Sequence, residues 1–280
     1  MALGANQVTV TTAANFIPEL WSPLVIKAVE SKLVMWKLLW DWSDPAKGKG
    51  DTIHVPGVAN LSTNSKAANT AVVLNANTEG VTNLSINTHE ECSFLIEDIV
   101  KVQSAYNQLE FYKEKAGYAI AAKMDTDANT LVASFSQTQG AAGADLGDEQ
   151  IRNAIEFLDL ADAPDDDRHF LMHPSQKNAL FAIEKYFKAH YRGDGMSDIL
   201  VKGQFGEIYG MPTYVSTNVG TSAGSRLNAI FQRQAIAKAQ QLGPRVQGDY
   251  ILEHLGNLVV TDVIYGVVES RDTFGVWMKS

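Results

Sequence analysis

The stretch SFLIEDIVKVQSAYNQLEFYKEKAGYAIAAKMDTD at residues 93–127 decides the fold, and the same pattern continues to Phe135 without a proline. Apolar residues recur in it at steps of three and four, as they do on one face of an α-helix. The pattern predicts one amphipathic helix over 93–135, which at 1.5 Å per residue would be about 60 Å long. A helix of that length exceeds the diameter of a small domain, so we expect other elements to pack along it.

A projecting hairpin is predicted on the N-terminal side of this helix. KGKGDTIHVPG at 47–57 leads into an alternating strand, and a matching strand follows at 81–90. About 25 residues rich in Ala, Asn, Ser and Thr lie between them, and a loop of that length inside a compact domain usually has a function. Its lysines outnumber its acidic residues and are Lys47, Lys49 and Lys66.

The N-terminal region concentrates the large aromatic residues. Residues 1–15 have little apolar periodicity and read as an extended arm, whereas 24–39 is apolar nearly all round. Four of the five tryptophans lie in the first 42 residues: Trp21, Trp36, Trp40 and Trp42. Tryptophan is enriched at the centres of protein interfaces, so these residues are predicted to dock onto neighbouring subunits or onto the long helix. The alternative is an ordinary core helix followed by a disordered loop.

Beyond the long helix the pattern changes to mixed helices and short strands. The glycine- and alanine-rich stretch at 139–147 reads as a linker, and a helix is predicted to begin at Asp148. Further elements are predicted as a strand at 168–174, a helix at 175–187, and strands at 211–216, 228–232, 245–252, 257–268 and 273–278. The fold class is therefore α+β.

Composition excludes several classes of protein. The chain has 280 residues, 45% hydrophobic, which is enough for a substantial core and excludes intrinsic disorder. The single Cys92 excludes a disulfide scaffold. We expect neither a transmembrane helix nor a signal peptide, and we expect a cytoplasmic protein. The net charge of −9 argues against binding nucleic acid through a general basic face.

No motif in the sequence predicts catalysis, a cofactor or a metal. The phosphate-binding motifs GxxxxGK[ST] and GxGxxG and the nucleophile elbow GxSxG are absent. The remaining cluster contains His89 and Cys92, which could form a nucleophilic site. On a strand, however, these two side chains point to opposite faces. A thiol-dependent hydrolase using Cys92 and His89 therefore stays only as an alternative to a non-enzymatic protein.

Six segments, taken in order, carry a resemblance that runs almost end to end. They are NFIPELWSPLVIKAVESKLV (15–34), KGKGDTIHVPG with AANTAVVLNANTEG (47–57 and 67–80), the stretch at 93–127, FGEIYGMPTYVSTNV (205–219), AIAKAQQ (235–241) and YGVVESR (265–271). In these segments the chain resembles the major capsid proteins of tailed bacteriophages, which share the HK-ninety-seven-type fold.

The resemblance implies a fold with named parts. These are an N-terminal arm at 1–45, an extended β-hairpin loop at 46–92, a spine helix with the peripheral domain at 93–147, an axial domain at 148–235 and a return to the peripheral domain at 236–280. It also implies subunits that form hexamers and pentamers of an icosahedral head enclosing double-stranded DNA, assembled in the bacterial cytoplasm and located in the virion. Other copies of the chain and portal, scaffolding and decoration proteins are the implied partners. An encapsulin-like nanocompartment shell, which shares the fold, is the alternative.

Assembly contacts are the predicted function of the residues singled out above. The tryptophans would bury apolar surface, and the three hairpin lysines would lie over acidic residues of a neighbour. The candidate acidic residues are Glu97, Asp98, Asp125 and Asp127. Because an exposed ion pair contributes only about 0–1 kcal/mol, charge is expected to set the register and apolar burial the affinity.

Overall fold

The computed structural model describes residues 33–46, 50–58, 60–75, 79–103, 108–183, 186 and 206–280. The helices and strands are α1 (Met35–Leu38), β1 (Trp40–Asp41), α2 (Ser43–Ala46), β2 (Thr52–Val58), β3 (Glu79–Ser85), β4 (Thr88–Glu97), α3 (Asp98–Gln103), α4 (Gln108–Thr130), β5 (Gln137–Gly140), α5 (Asp148–Leu160), β6 (Arg168–Met172), α6 (Pro174–Phe181), β7 (Glu207–Ile208), β8 (Met211–Val215), β9 (Thr221–Ser222), β10 (Ser225–Arg226), β11 (Asn228–Gln232), β12 (Ile236–Ile251), β13 (Gly256–Glu269) and β14 (Gly275–Lys279).

A four-stranded sheet in the order β1-β12-β13-β4 forms one part of the molecule. β12 and β13 are a long antiparallel pair that begins at Ile236↔Glu269 and closes at Ile251↔Gly256. β4 pairs with the other edge of β13, and β1 adds two residues in parallel to β12. The β12–β13 pair thus extends well beyond the two residues that β1 contributes.

The helix α4 packs on this sheet through a stripe of residues at four-residue spacing. Ala116, Ile120, Met124 and Ala128 are buried, and Ile120 and Met124 cluster with Val263 and Tyr265 of β13. The periodicity of the sequence predicted this face. Small residues in the stripe allow the helix axis to approach the strands closely.

The predicted start of the long helix is wrong. Residues 93–97 belong to β4, and the first helical residue is Asp98. The sequence SFLIE alternates between intermediate or buried and exposed positions, and it pairs with β13 from Gly256 to Val260. A short apolar run fits a helix and a strand equally well until its partner strand is known, because periodicity alone does not separate the two.

A six-stranded sheet in the order β5-β14-β11-β6-β8-β7 holds the larger core. Its central strands β6 and β11 are buried at every position, and α5 packs over β5, β14 and β11 and adds Ile151, Ala154 and Leu158 to the same core. The predicted linker at 139–147 is only partly correct. Gln137–Gly140 adds β5 in parallel to the edge of β14, so the glycine-rich stretch begins inside the sheet.

β2 and β3 form the predicted hairpin, with Ile53 opposite Leu84. Its base is anchored because Leu84 and Ile86 are buried against Trp42 and two alanines of β12. Within the described part of the chain, no helix is both long and apolar enough to cross a bilayer. The predictions for Trp21, Lys47, Lys49 and the first 32 residues of the arm lie outside the described residues.

Candidate subunit interface

The hairpin continues past the paired part of β2 and β3 as an ordered loop. The Asn64 side-chain amide donates to the Val73 carbonyl at 3.2 Å and to Asn75 Oδ1 at 2.5 Å, and the Asn75 amide donates to the Ser62 carbonyl. These bonds tie the two limbs of the loop together. The limbs meet at a turn that includes Asn69, whose φ of +63° is one that asparagine tolerates better than most residues.

The loop presents apolar side chains to solvent. Every residue from 60 to 75 is exposed. Leu74 is 88% exposed, and Leu61, Val72 and Val73 are each about two-thirds exposed. An exposed group of large apolar residues on an ordered projection is typical of a surface that is covered by a partner. We call residues 60–75 the hairpin tip.

Lys66 lies in the hairpin tip and is exposed. The structure therefore places its ammonium group where another molecule could reach it. Its contact with an acidic neighbour remains a prediction.

Trp36 packs within its own chain, beside α4. Its ring meets the Tyr265 ring edge to face at 5.5 Å, and the Lys238 Nζ lies 5.1 Å from its centroid. Lys238 Nζ also donates to the Trp36 carbonyl at 2.6 Å. Burial of Lys238 lowers the pKa of its ammonium group, although Asp41 partly opposes this shift. Trp36 remains half-buried and borders an apolar groove with Ala121 and Met124.

Trp40 and Trp42 pack at the base of the hairpin. Their rings lie 5.0 Å apart in an edge arrangement, and Trp42 is 7% exposed. Trp42 N–H donates to the Lys238 carbonyl at 2.7 Å, which continues the short pairing of β1 with β12. Docking of Trp42 onto a neighbouring subunit is therefore wrong, because its ring is already covered by its own chain.

The four predicted acidic residues are not equivalent. Asp125 is 3% exposed and accepts from the Trp36 N–H and the Asn218 side-chain amide, each at 2.9 Å. The prediction is wrong for Asp125, because both carboxylate oxygens are bonded inside the chain and away from any neighbour. Asp125 instead joins α1, α4 and the loop after β8.

Asp127 is also bonded within the chain, although it is less buried. It accepts from Tyr265 OH and from Lys123 Nζ, both at 2.6 Å. The bond with Asp127 raises the pKa of Lys123. Glu97 and Asp98 lie elsewhere, at the junction of β4 and α3. The structure thus does not bring the four acidic residues together into one surface.

The residues of the alternative hydrolase site have separate partners. His89 Nε2 lies 3.1 Å from Asp262 Oδ2, and Asp262 also binds Arg245 at 2.7 and 2.9 Å. These bonds lower the pKa of Asp262 to about 2, with Arg245 as the main cause. Cys92 packs near Tyr265 in the cluster beneath α4. Both His89 and Cys92 thus make contacts that stabilise the fold, with Asp262 and with the cluster beneath α4 respectively.

The sequence reasoning missed a second exposed apolar site, at the turn between β12 and β13. Leu252 is 78% exposed and Leu255 is 63% exposed. The signal was present in the sequence LEHLG, since turns of soluble proteins are usually polar. The strand pattern on both sides of the turn masks this signal in the sequence.

Comparisons with known proteins identify solved structures that are similar to this chain. No protein-family model matches the chain, and no curated protein sequence matches it. Among solved structures, one titled "Mycobacterium phage Che8" is similar with a TM-score of 0.83 and 24% identity over 94% of this chain and 97% of that chain. The capsid structure of the cyanophage P-SCSP1u is similar with a TM-score of 0.81 and 15% identity over 99% and 96%. The mature capsid of bacteriophage PhiM1 is similar with a TM-score of 0.77 and 11% identity over 94% and 91%.

These likenesses cover nearly the whole of each chain. The chain therefore has the fold of these phage capsid structures, and the predicted α+β capsid fold is confirmed. At these identities the likeness defines the fold, and function requires a separate argument.

Proposed function

We propose that this chain is a major capsid protein that self-assembles as hexamers and pentamers into the icosahedral head of a tailed bacteriophage. The observation that carries the proposal is the fold, which matches capsid structures over almost the full length of both chains. The exposed apolar side chains of the hairpin tip support it, because they have the character of a subunit contact. The role is structural: the chain would function by assembling with copies of itself and not by catalysing a reaction.

Two parts of the subunit correspond to the two main sheets. The four-stranded sheet with α4 would form the peripheral domain, and β6, β7, β8 and β11 with α5 would form most of the axial domain at 148–235. The other two strands of that sheet, β5 and β14, come from the segments 93–147 and 236–280, so the sheet extends beyond the predicted bounds of the axial domain. The hairpin at 46–92 would lie across a neighbouring copy. The arm at 1–45 would also contribute to assembly.

The hairpin tip would supply affinity through apolar burial. Covering one large aliphatic side chain contributes roughly 1.5–3 kcal/mol, and each subunit repeats the contact around a closed shell. Portal, scaffolding and decoration proteins would be further partners. Double-stranded DNA would be enclosed without sequence-specific binding, and the net charge of −9 would keep it from adhering to the wall.

Electron microscopy of the purified full chain, together with sedimentation velocity over a range of concentrations, tests the proposal. Closed particles of uniform size are expected. A subunit that stays monomeric at high concentration, and also when expressed with the other structural proteins of its phage, would overturn it. Double-stranded DNA inside particles isolated from cells supports the head, whereas a protein cargo would identify a nanocompartment shell.

A variant of the hairpin tip tests the contact itself. Leu74→Asn removes exposed apolar surface without touching the core, so it should leave the fold intact and raise the concentration needed for assembly. Leu160→Asn is the matched control, because Leu160 is a similarly exposed leucine, 75%, at the end of α5. Equal assembly of the two variants would contradict the role of the hairpin tip.

A further inference from the structure

The turn between β12 and β13 is apolar and is hydrogen-bonded to the start of α3. Leu252 and Leu255 are both exposed, and Leu255 lines a groove together with Ile99 of α3, which is 58% exposed. The Asp98 N–H donates to the Leu255 carbonyl at 2.9 Å, and Tyr250 OH donates to Asp98 Oδ2 at 2.7 Å. These bonds fix the turn against the start of α3, so its leucines are presented on a rigid support.

Leu255 also lies in an unfavourable backbone region. Its φ of +44° belongs to the left-handed region, where glycine or asparagine is more stable than leucine. Leu255 therefore lowers the stability of the isolated subunit in two ways, through its backbone conformation and through the exposure of its apolar side chain. Such strain in a folded chain points to a function for the side chain.

Two grooves of opposite charge flank the turn and have no lining residue in common. The first is formed by Glu97, Asp98, Ile99, Glu253, His254 and Leu255 and is predominantly acidic. The second lies between the helices and the β12–β13 strands and contains Lys101 and Lys113, with Asp249 as its acidic member. We call them the acidic groove and the basic groove.

The charges of these grooves are not neutralised inside the subunit. Over the described ranges, neither Lys101 nor Lys113 has a carboxylate within ion-pair distance, and neither Glu97 nor Glu253 has a cationic partner. Asp98 is different, since it is bonded to Tyr250. Lys101 and Lys113 therefore lie on one side of the exposed apolar turn, and Glu97 and Glu253 lie on the other.

We propose that this turn is a second contact between copies of the chain, in which the acidic groove of one copy receives the basic groove of the next. The leucines would be buried between them, and Glu253 and Glu97 would lie opposite Lys101 and Lys113. Because the two grooves differ, the contact is head to tail, and a head-to-tail contact between identical chains closes into a ring when its rotation permits. The proposal rests on the proposed function and adds a contact separate from the hairpin tip.

Charge complementarity selects a second copy over another occupant. An apolar centre with a charged rim is the usual composition of a specific interface, and the rim charges set its orientation. The rim here carries both signs on separate sides, with Glu97 and Glu253 in the acidic groove and Lys101 and Lys113 in the basic groove. A partner of one sign would leave half of these charges opposed by like charge or desolvated.

Charge reversal in the full chain tests the pairing. Glu253→Lys and Lys101→Glu are each expected to raise the critical concentration for assembly about tenfold, because like charges then face each other. The double variant should recover most of the loss, since the pair is restored with its signs exchanged. Glu156→Lys, on the exposed face of α5, is the matched control and should assemble as the wild type does. Additive losses in the double variant would overturn the charge pairing.

Leu255→Asn tests the apolar part and separates assembly from folding. Asparagine suits the left-handed backbone, so the variant subunit should be at least as stable as the wild type while its critical concentration rises about tenfold. Unchanged assembly of this variant would overturn the proposal. If the wild-type chain forms no particles at all, the proposed function fails instead. If the variants assemble normally but lose a different protein from the particle surface, the turn binds that protein and not a second copy.

Discussion

Replacing Asp125 by alanine should destabilise the subunit itself, because this carboxylate connects three segments of the chain. It accepts from the Trp36 backbone N–H and from the Asn218 amide, and it is 3% exposed. Asn218 in turn accepts from Thr126 Oγ1 at 3.2 Å. Alanine therefore removes the bond that fixes α1 on α4 and loosens the loop after β8.

The expected loss follows from the two hydrogen bonds. A hydrogen bond to a charged group contributes about 1.5–3 kcal/mol, and a buried donor left without an acceptor costs about 1–3 kcal/mol. Both donors are only partly buried, so water can replace part of the lost bonding. We expect the free energy of unfolding to fall by about 3 kcal/mol for Asp125→Ala. Asp125→Asn should cost less, since one amide oxygen remains to accept from Trp36.

Chemical unfolding of dissociated subunits at low concentration measures this loss. Asp145→Ala is the control, because Asp145 lies exposed in the loop before α5 and its replacement should change stability by less than about 0.5 kcal/mol. If Asp125→Ala were as stable as this control yet failed to assemble, the carboxylate would serve a neighbouring subunit and its internal role would be refuted.

Three further perturbations test other parts of the fold by the same unfolding measurement. Gly266→Ala would put a Cβ 2.3 Å from the Ser85 carbonyl oxygen and should lower the free energy of unfolding by about 1–3 kcal/mol. Gly117→Ala is the control, because a Cβ there meets no atom within 4 Å, and it should raise the free energy of unfolding by up to about 1 kcal/mol. Equal effects of the two variants would refute the close approach of β3 and β13. Trp42→Ala should cost about 3–5 kcal/mol by emptying the base of the hairpin, and a loss below about 1 kcal/mol would show that the ring is not buried there. Burial raises the pKa of Glu269, so the contribution of this side chain to the stability of the fold decreases as the pH rises above the ordinary carboxyl range. Glu269→Gln should therefore be more stabilising at pH 7 than at pH 4, and an equal effect at both pH values would contradict this.

The sequence predicted the elements whose patterns are local. The steps of three and four in α4 need only their own residues to be recognised, and the alternation of β2 and β3 is equally local. The register of β4 was different, because Phe94 and Ile96 acquire a strand partner only from β13, more than 150 residues later. A pattern that is completed by a distant segment is ambiguous within its own window.

In the candidate site, too, local features could be predicted from the sequence, whereas contacts between distant residues could not. The projecting hairpin follows from its two alternating strands and the long loop between them, whereas the exposed apolar side chains of the hairpin tip are seen only in the structure. The internal role of Asp125 could not be predicted, because its partners Trp36 and Asn218 lie about 90 residues away on either side in the sequence. An aspartate on a helix usually faces solvent, and only the packed structure shows this one turned inward.

The separation between internal and external contacts explains how one chain can fold alone and still be built for assembly. Trp42, Leu84 and Ile86 fix the base of the hairpin within the subunit, so the projection is stable before any partner arrives. The leucines and valines of the hairpin tip, and Leu252 and Leu255 at the β12–β13 turn, contribute nothing to that core and remain in water. Exposed apolar side chains on two ordered projections carry a free-energy cost that only association removes. Substitutions at these two surfaces should therefore change assembly with little effect on unfolding, whereas substitutions at Asp125 or Trp42 should change unfolding first.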